Sequence, residues 1–151
     1  MSIKNRILIV DDDPIMQTML RECVLSLGYQ PIICDDIYRA KYLFSETKPH
    51  LVITDLYMPD KGKIKKMGYK LASWVKSQDE HCPVITLSSE TDIAKQVECF
   101  LHGCSLFLTK PVDIQTLSAK IIRLSNLCKL CRKQFSKHEK YGAVNYADAK
   151  S

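Results

Sequence analysis

Six polar side chains stand directly after short apolar runs, and their types belong to one chemistry. Asp11, Asp12 and Asp13 follow Ile7-Leu-Ile-Val10, Asp55 follows Leu51-Val-Ile-Thr54, Ser88 follows Val84-Ile-Thr-Leu87, and Lys110 follows Leu106-Phe-Leu-Thr109. Carboxylates gathered at one place repel and raise each other's pKa unless a cation joins them. A hard divalent ion with oxygen ligands solves that problem, and Mg²⁺ commonly takes one or two carboxylates, waters and a phosphate. A carboxylate can also act as the nucleophile in phosphoryl transfer, forming an aspartyl phosphate. A metal ion and a lysine then stabilise the charge on the transferring group. Three acids, a hydroxyl and a lysine on one edge would therefore make a site for phosphoryl transfer, with Mg²⁺ as cofactor and Mn²⁺ as a substitute.

For these residues to meet, the apolar runs must be neighbouring strands. Strand-length runs at 7–10, 31–34, 51–54, 84–87 and 106–108 alternate with amphipathic stretches at 14–27, 37–46, 67–77, 92–102 and 114–132. Five β–α units in strict alternation predict a parallel sheet covered on both faces, and near-continuous hydrophobic strands fit that burial. Local punctuation agrees: Asp13-Pro14 reads as a helix cap followed by proline at the first helical position, and Gly28 stands where that helix should stop. Asp113 reads as the cap of the last helix. In a doubly wound fold, ligands bind outside the carboxyl ends of the strands, where the six side chains fall.

The chain resembles the receiver domain of response regulators. The matching pieces are Ile7-Leu-Ile-Val-Asp-Asp-Asp-Pro14, Leu51-Val-Ile-Thr-Asp-Leu-Tyr-Met-Pro59, Pro83-Val-Ile-Thr-Leu-Ser-Ser89 and Phe107-Leu-Thr-Lys-Pro-Val-Asp113, all in order, with Lys110 standing 22 positions after Ser88. The resemblance implies an α/β, flavodoxin-like, doubly wound five-stranded parallel sheet of order 2-1-3-4-5 with five helices. It implies that Asp55 is the phosphoacceptor and that Asp11, Asp12, Asp55 and the backbone carbonyl of Tyr57 hold Mg²⁺. Ser88 takes the place of the commoner threonine, Lys110 binds a phosphoryl oxygen, and the bond to Pro111 is expected to be cis. Phe107 takes the position of the aromatic switch residue. The implied partners are a sensor histidine kinase or histidine phosphotransfer protein as donor and a downstream protein target, with a homodimer through the fourth and fifth helices as a further option. The protein would catalyse its own phosphorylation and dephosphorylation without turning over an external substrate.

Plainer readings stand beside these. Asp13 is better read as a helix cap than as a ligand, and Phe107 also suits a core position beside a sheet edge. A relay intermediate that hands the phosphoryl group to a histidine phosphotransfer protein has the same sequence signature. A DNA-binding regulator would need a further domain, and about 20 residues after the last helix are too few for a helix-turn-helix. An Asp-nucleophile phosphatase usually carries a second Asp two residues on, where Tyr57 stands. No Gly-x-Gly-x-x-Gly follows the first strand, which removes dinucleotide binding.

Bulk properties set the outer limits. The 151 residues, 46% of them apolar, suit one domain with a substantial core. A net charge of +5 is too mild to imply nucleic acid, and no apolar run reaches membrane-spanning length. No signal peptide is recognisable, so the expected location is the cytoplasm. The seven cysteines fall mostly in apolar segments and read as reduced, small hydrophobes. Residues 1–132 are expected to form the receiver domain, with 133–151 a helix end and flexible tail. Ile114, Leu117, Ile121, Leu124, Cys128, Cys131 and Phe135 mark a heptad seam, whose packing accounts for the Cys128-x-x-Cys131 pair better than a metal or redox site does. The lysine-rich stretch 59–66 reads as irregular: either a solvated loop or a basic guide for an acidic partner. Tyr57 and Glu90 are expected to flank the site.

Overall fold

A computed structural model of the chain describes residues 5–60, 63–65 and 67–148. Its elements are β1 (Arg6–Val10), α1 (Pro14–Ser26), β2 (Gln30–Cys34), α2 (Ile37–Thr47), β3 (Leu51–Asp55), β4 (Met58–Asp60), β5 (Lys63–Lys65), α3 (Met67–Gln78), β6 (Val84–Ser88), α4 (Ile93–Leu101), β7 (Leu106–Thr109) and α5 (Ile114–Asp148). The main sheet has the order β2-β1-β3-β6-β7, with every pair parallel. With the small β4–β5 pair set aside, this is the doubly wound order 2-1-3-4-5 with five helices.

Alternation along the strands divides the core into two layers. Ile7, Ile9, Leu51, Ile53, Ile85 and Leu87 pack with Met16, Leu20 and Val24 of α1 and with Leu117 and Ile121 of α5. On the opposite face Leu8, Val10, Val52 and Val84 meet Ala40 and Phe44 of α2 and Leu71, Ala72 and Val75 of α3. Full burial of such side chains stabilises by roughly 1.5–3 kcal/mol each, which exceeds any difference in strand propensity. Burial therefore decides the register, and the register decides which residues end the strands.

Caps set where the helices begin. Asp13 accepts a hydrogen bond from the Ile15 amide at 3.0 Å ahead of Pro14. Asp36 accepts from Arg39 at 2.7 Å, Asp92 from Ala94 at 2.9 Å, and Asp113 from the Thr116 amide at 3.1 Å. Each carboxylate satisfies an amide that the first helical turn leaves without a partner.

Two segments differ from the sequence expectation. The stretch read as irregular contains the antiparallel pair β4–β5, in register Met58↔Lys65, Pro59↔Ile64 and Asp60↔Lys63. Each strand is only three residues long, too few alternating positions to give a strand signal. Lys61 and Lys66 of the lysine-rich stretch lie outside the described residues. The last helix continues past residue 132 to Asp148. No proline interrupts the sequence there, and Lys, Gln, Glu and Ala all favour helix. The seam is buried at Leu117, Ile121 and Cys128 and exposed at Cys131, so its packing on the domain ends within one turn.

Candidate functional site

The carboxyl ends of β1, β3, β6 and β7 converge, and Lys110 joins the acids there. Its ammonium lies 3.0 Å from Asp55 Oδ2 and 3.4 Å from Asp11 Oδ2. The second oxygen of each acid has a different partner: Asp55 Oδ1 accepts from the Tyr57 amide at 3.2 Å, and Asp11 Oδ1 from the Asp13 amide at 2.9 Å. Asp12 is exposed at the opening, whereas the Asp11 side chain is only 1% exposed and that of Asp55 13%. The Gln17 side-chain amide donates to the Asp11 carbonyl oxygen, tying the start of α1 to the end of β1.

Electrostatics follow from this burial. Desolvation pushes the Asp11 carboxyl above its ordinary value, and Asp55 adds repulsion, against the Asp13 amide and the charge of Lys110. Burial alone would lower Lys110, but its bonds and charge attraction to Asp55 and Asp11 outweigh that and raise it. The ammonium therefore stays charged and offsets one of three acids. Counted formally, three carboxylates against one lysine leave two negative charges, the complement of a divalent cation. One oxygen from each of the three acids lies within 4.8 Å of the others, a hard-oxygen donor set that fits Mg²⁺. Among the described residues no other His, Cys, Asp or Glu group is so arranged.

The hydroxyl and the aromatic residue sit beside this cluster. Ser88 is buried at the end of β6, its hydroxyl accepts from the Glu90 amide at 3.1 Å, and its carbonyl oxygen accepts from the Lys110 amide at 2.8 Å. The Lys110–Pro111 peptide bond is cis. Phe107 is half-buried against Leu56, Tyr69, Cys99 and Cys104. Over the mouth, the Tyr57 hydroxyl donates to Glu90 Oε2 at 2.5 Å, and Lys95 approaches the same oxygen at 3.4 Å. That bond, helped by desolvation, raises the Tyr57 phenol to about 12, and it holds Glu90 down at about 2.

Sequence reasoning passed over two supports of the site. Gln17 sits on the helix after the acidic run with no local signal of its role. Gly68, at the start of α3, lies where an added Cβ would meet the Asp55 carbonyl oxygen at 2.5 Å and Leu56 Cα at 2.8 Å. A glycine inside the first turn of a helix, where it costs helix stability, was the available signal.

Comparison with known proteins points the same way as the geometry. Residues 7–122 match the family model of the response regulator receiver domain. The sensor histidine kinase TmoS of Ectopseudomonas mendocina is 32% identical over 124 residues, covering 81% of this chain and 12% of that protein. The regulatory protein AtoC of Escherichia coli K12 is 28% identical over 127 residues, 84% of this chain and 26% of that one. The chain thus spans only a small part of these two relatives and about half of others that it matches. Among solved structures, the signal receiver domain of a signal transduction histidine kinase from Syntrophus aciditrophicus is 31% identical with a TM-score of 0.70, covering 81% of this chain and 90% of that one.

Proposed function

Because the chain belongs to the response regulator receiver domain family, we propose that it is a phosphoaccepting switch of a two-component system, loaded on Asp55. The observation that carries this reading is the Lys110 ammonium held between Asp55 at 3.0 Å and Asp11 at 3.4 Å at the carboxyl edge of the sheet. A carboxylate oxygen of Asp55 attacks the phosphorus of a phosphohistidine on a sensor kinase or phosphotransfer protein. The O–P bond forms as the N–P bond breaks, and the electron pair leaves with the imidazole nitrogen. Lys110 is already within reach to follow the charge from Asp55 onto a phosphoryl oxygen. Asp11, Asp12, Asp55 and the Tyr57 carbonyl would hold Mg²⁺, or Mn²⁺ in its place, which when bound neutralises charge on the transferring group.

The new group brings nearly two negative charges and further acceptor oxygens. Ser88 turns its hydroxyl from the Glu90 amide toward them, the segment after β6 follows, and Phe107 takes the vacated space. The surface of α4, β7 and α5 then binds its target differently, a shift between two packings that needs only a few kcal/mol of differential stabilisation. Support comes from α4, where Ile93, Val97, Phe100 and Leu101 are 47–82% exposed, an apolar face suited to a downstream protein or a second copy. Residues 1–132 form the working unit in this reading, and the cytoplasm is its place of action. Among the described residues no helix is long and apolar enough to cross a membrane.

The test is intact-mass analysis after a small-molecule phosphodonor, with and without Mg²⁺. One phosphoryl group is expected with Mg²⁺, and none in Asp55→Asn. Stoichiometric labelling retained by that variant would refute the assignment.

A further inference from the structure

Helix α4 ends in a Schellman turn whose two contact positions are both cysteines. Gly103, at φ +104°, reverses the chain: its amide donates to the Phe100 carbonyl at 3.0 Å, and the Cys104 amide donates to the Cys99 carbonyl at 3.2 Å. In this motif the residue after the left-handed position packs against the residue third from the helix end. Any apolar pair would serve, and here the pair is Cys104 and Cys99, 5% and 0% exposed. The main-chain hydrogen bond keeps the two residues side by side at the turn, the closeness that a disulfide between them requires. Both side chains belong to one buried cluster with Leu56 and Tyr69: Cys99 Sγ lies 3.4 Å from Thr86 Oγ1, and Cys104 Sγ lies 2.9 Å from the Leu106 carbonyl oxygen.

We infer that Cys99 and Cys104 are a redox-sensitive dithiol, closed to a disulfide by a hydroperoxide or a small-molecule disulfide. With a hydroperoxide, the Cys104 thiolate attacks the outer oxygen, the O–O bond breaks, and an alcohol (or water) leaves. The Cys99 thiol then attacks the sulfenic sulfur, the S–S bond forms, the S–O bond breaks, and water carries off the oxygen. Both sulfurs are oxidised and the peroxide is reduced. The interaction between the neighbouring thiols draws Cys104 below its ordinary value, against the effect of burial, and pushes Cys99 up. The new bond would tie the end of α4 to the start of β7 beside Phe107, in the cluster that also holds Tyr69. Its effect on signalling rests on the receiver reading, since that is the region which must rearrange after phosphorylation.

Peptide mapping of the full chain tests the bond itself and needs no phosphodonor. After hydrogen peroxide treatment and alkylation, trypsin leaves both cysteines in the fragment 96–120, because Lys110 precedes proline. The expected result is a fragment lighter by two hydrogens that takes no alkyl group until it is reduced. Chymotryptic cleavage after Phe100 should leave two pieces joined until reduction, and Cys99→Ser should lose both signatures. A fragment carrying two alkyl groups after peroxide has fully oxidised the exposed Cys131 would overturn the inference. Labelling of Asp55 in the reduced protein examines the receiver reading separately, so the two can fail independently.

Discussion

Replacing Gly68 by alanine puts a methyl group against the backbone that presents Asp55. The added Cβ would stand 2.5 Å from the Asp55 carbonyl oxygen, 2.8 Å from Leu56 Cα and 3.1 Å from the Leu56 carbonyl oxygen. All three are main-chain atoms, so no side-chain rotation relieves the clash. Restoring an ordinary contact of 3.4 Å requires the start of α3 or the end of β3 to withdraw by the difference, 0.9 Å. The Gly68 amide also donates to the Leu56 carbonyl at 3.0 Å, and this movement strains that bond. Overpacking of this kind costs about 1–3 kcal/mol, while alanine regains up to about 1 kcal/mol of helix propensity. The net expectation is a loss of about 1–2 kcal/mol, read as a fall in Tm of roughly 2–8 °C for a domain of this size. The site should suffer more than the fold, because Asp55 moves relative to Lys110, and a displacement near 1 Å can cost up to about a hundredfold in rate. Thermal denaturation and the initial rate of phosphodonor labelling measure the two effects. A Gly68→Ala protein with unchanged or higher Tm and normal labelling would refute the close-contact argument.

Lys110→Met leaves Asp11 and Asp55 facing one another with no cation. Removing one partner of a buried pair costs about 3 kcal/mol, so chemical denaturation without divalent ions should show a loss of that order. Added Mg²⁺ should recover part of it, and labelling should fall even where the protein is folded. An equally stable variant in metal-free buffer would contradict the assigned role. The Tyr57–Glu90 bond predicts a pH signature. The Tyr57 phenol is raised from 10.0 to about 12, so its proton is held more tightly in the folded state. The stabilisation is present below pH 10 and lost as pH rises through about 12. Glu90, lowered from 4.5 to about 2, contributes above pH 4.5 and loses its share as pH falls through about 2. In Glu90→Gln, phenolate absorbance should show one tyrosine titrating nearer pH 10, and an alkaline titration identical to the parent would disprove the bond.

Much of the fold was legible in the residues because its determinants are local. Asp13, Asp36, Asp92 and Asp113 cap helices within three residues of themselves. The alternation of apolar runs makes parallel strands obligatory, and parallel strands bring their carboxyl ends to one edge. The placing of Asp11, Asp12, Asp55, Ser88 and Lys110 on that edge follows from chain direction alone. The hairpin of β4 and β5 escaped notice because two three-residue strands give no period to read.

Tertiary packing decided the distances. Lys110 reaches Asp11 across 99 positions and Asp55 across 55, and nothing in either neighbourhood says which oxygen it will take. That follows from how α1, α5 and the strands fill the space beneath it. The Gly68 contact with Asp55, the Gln17 brace and the Tyr57–Glu90 bond are likewise products of packing between elements. Periodicity, caps and turn residues act over a few positions and so can be read along the chain. Which side chains touch, and how strongly each shifts the other's charge, depends on close-packed volumes from distant segments and on the water they exclude.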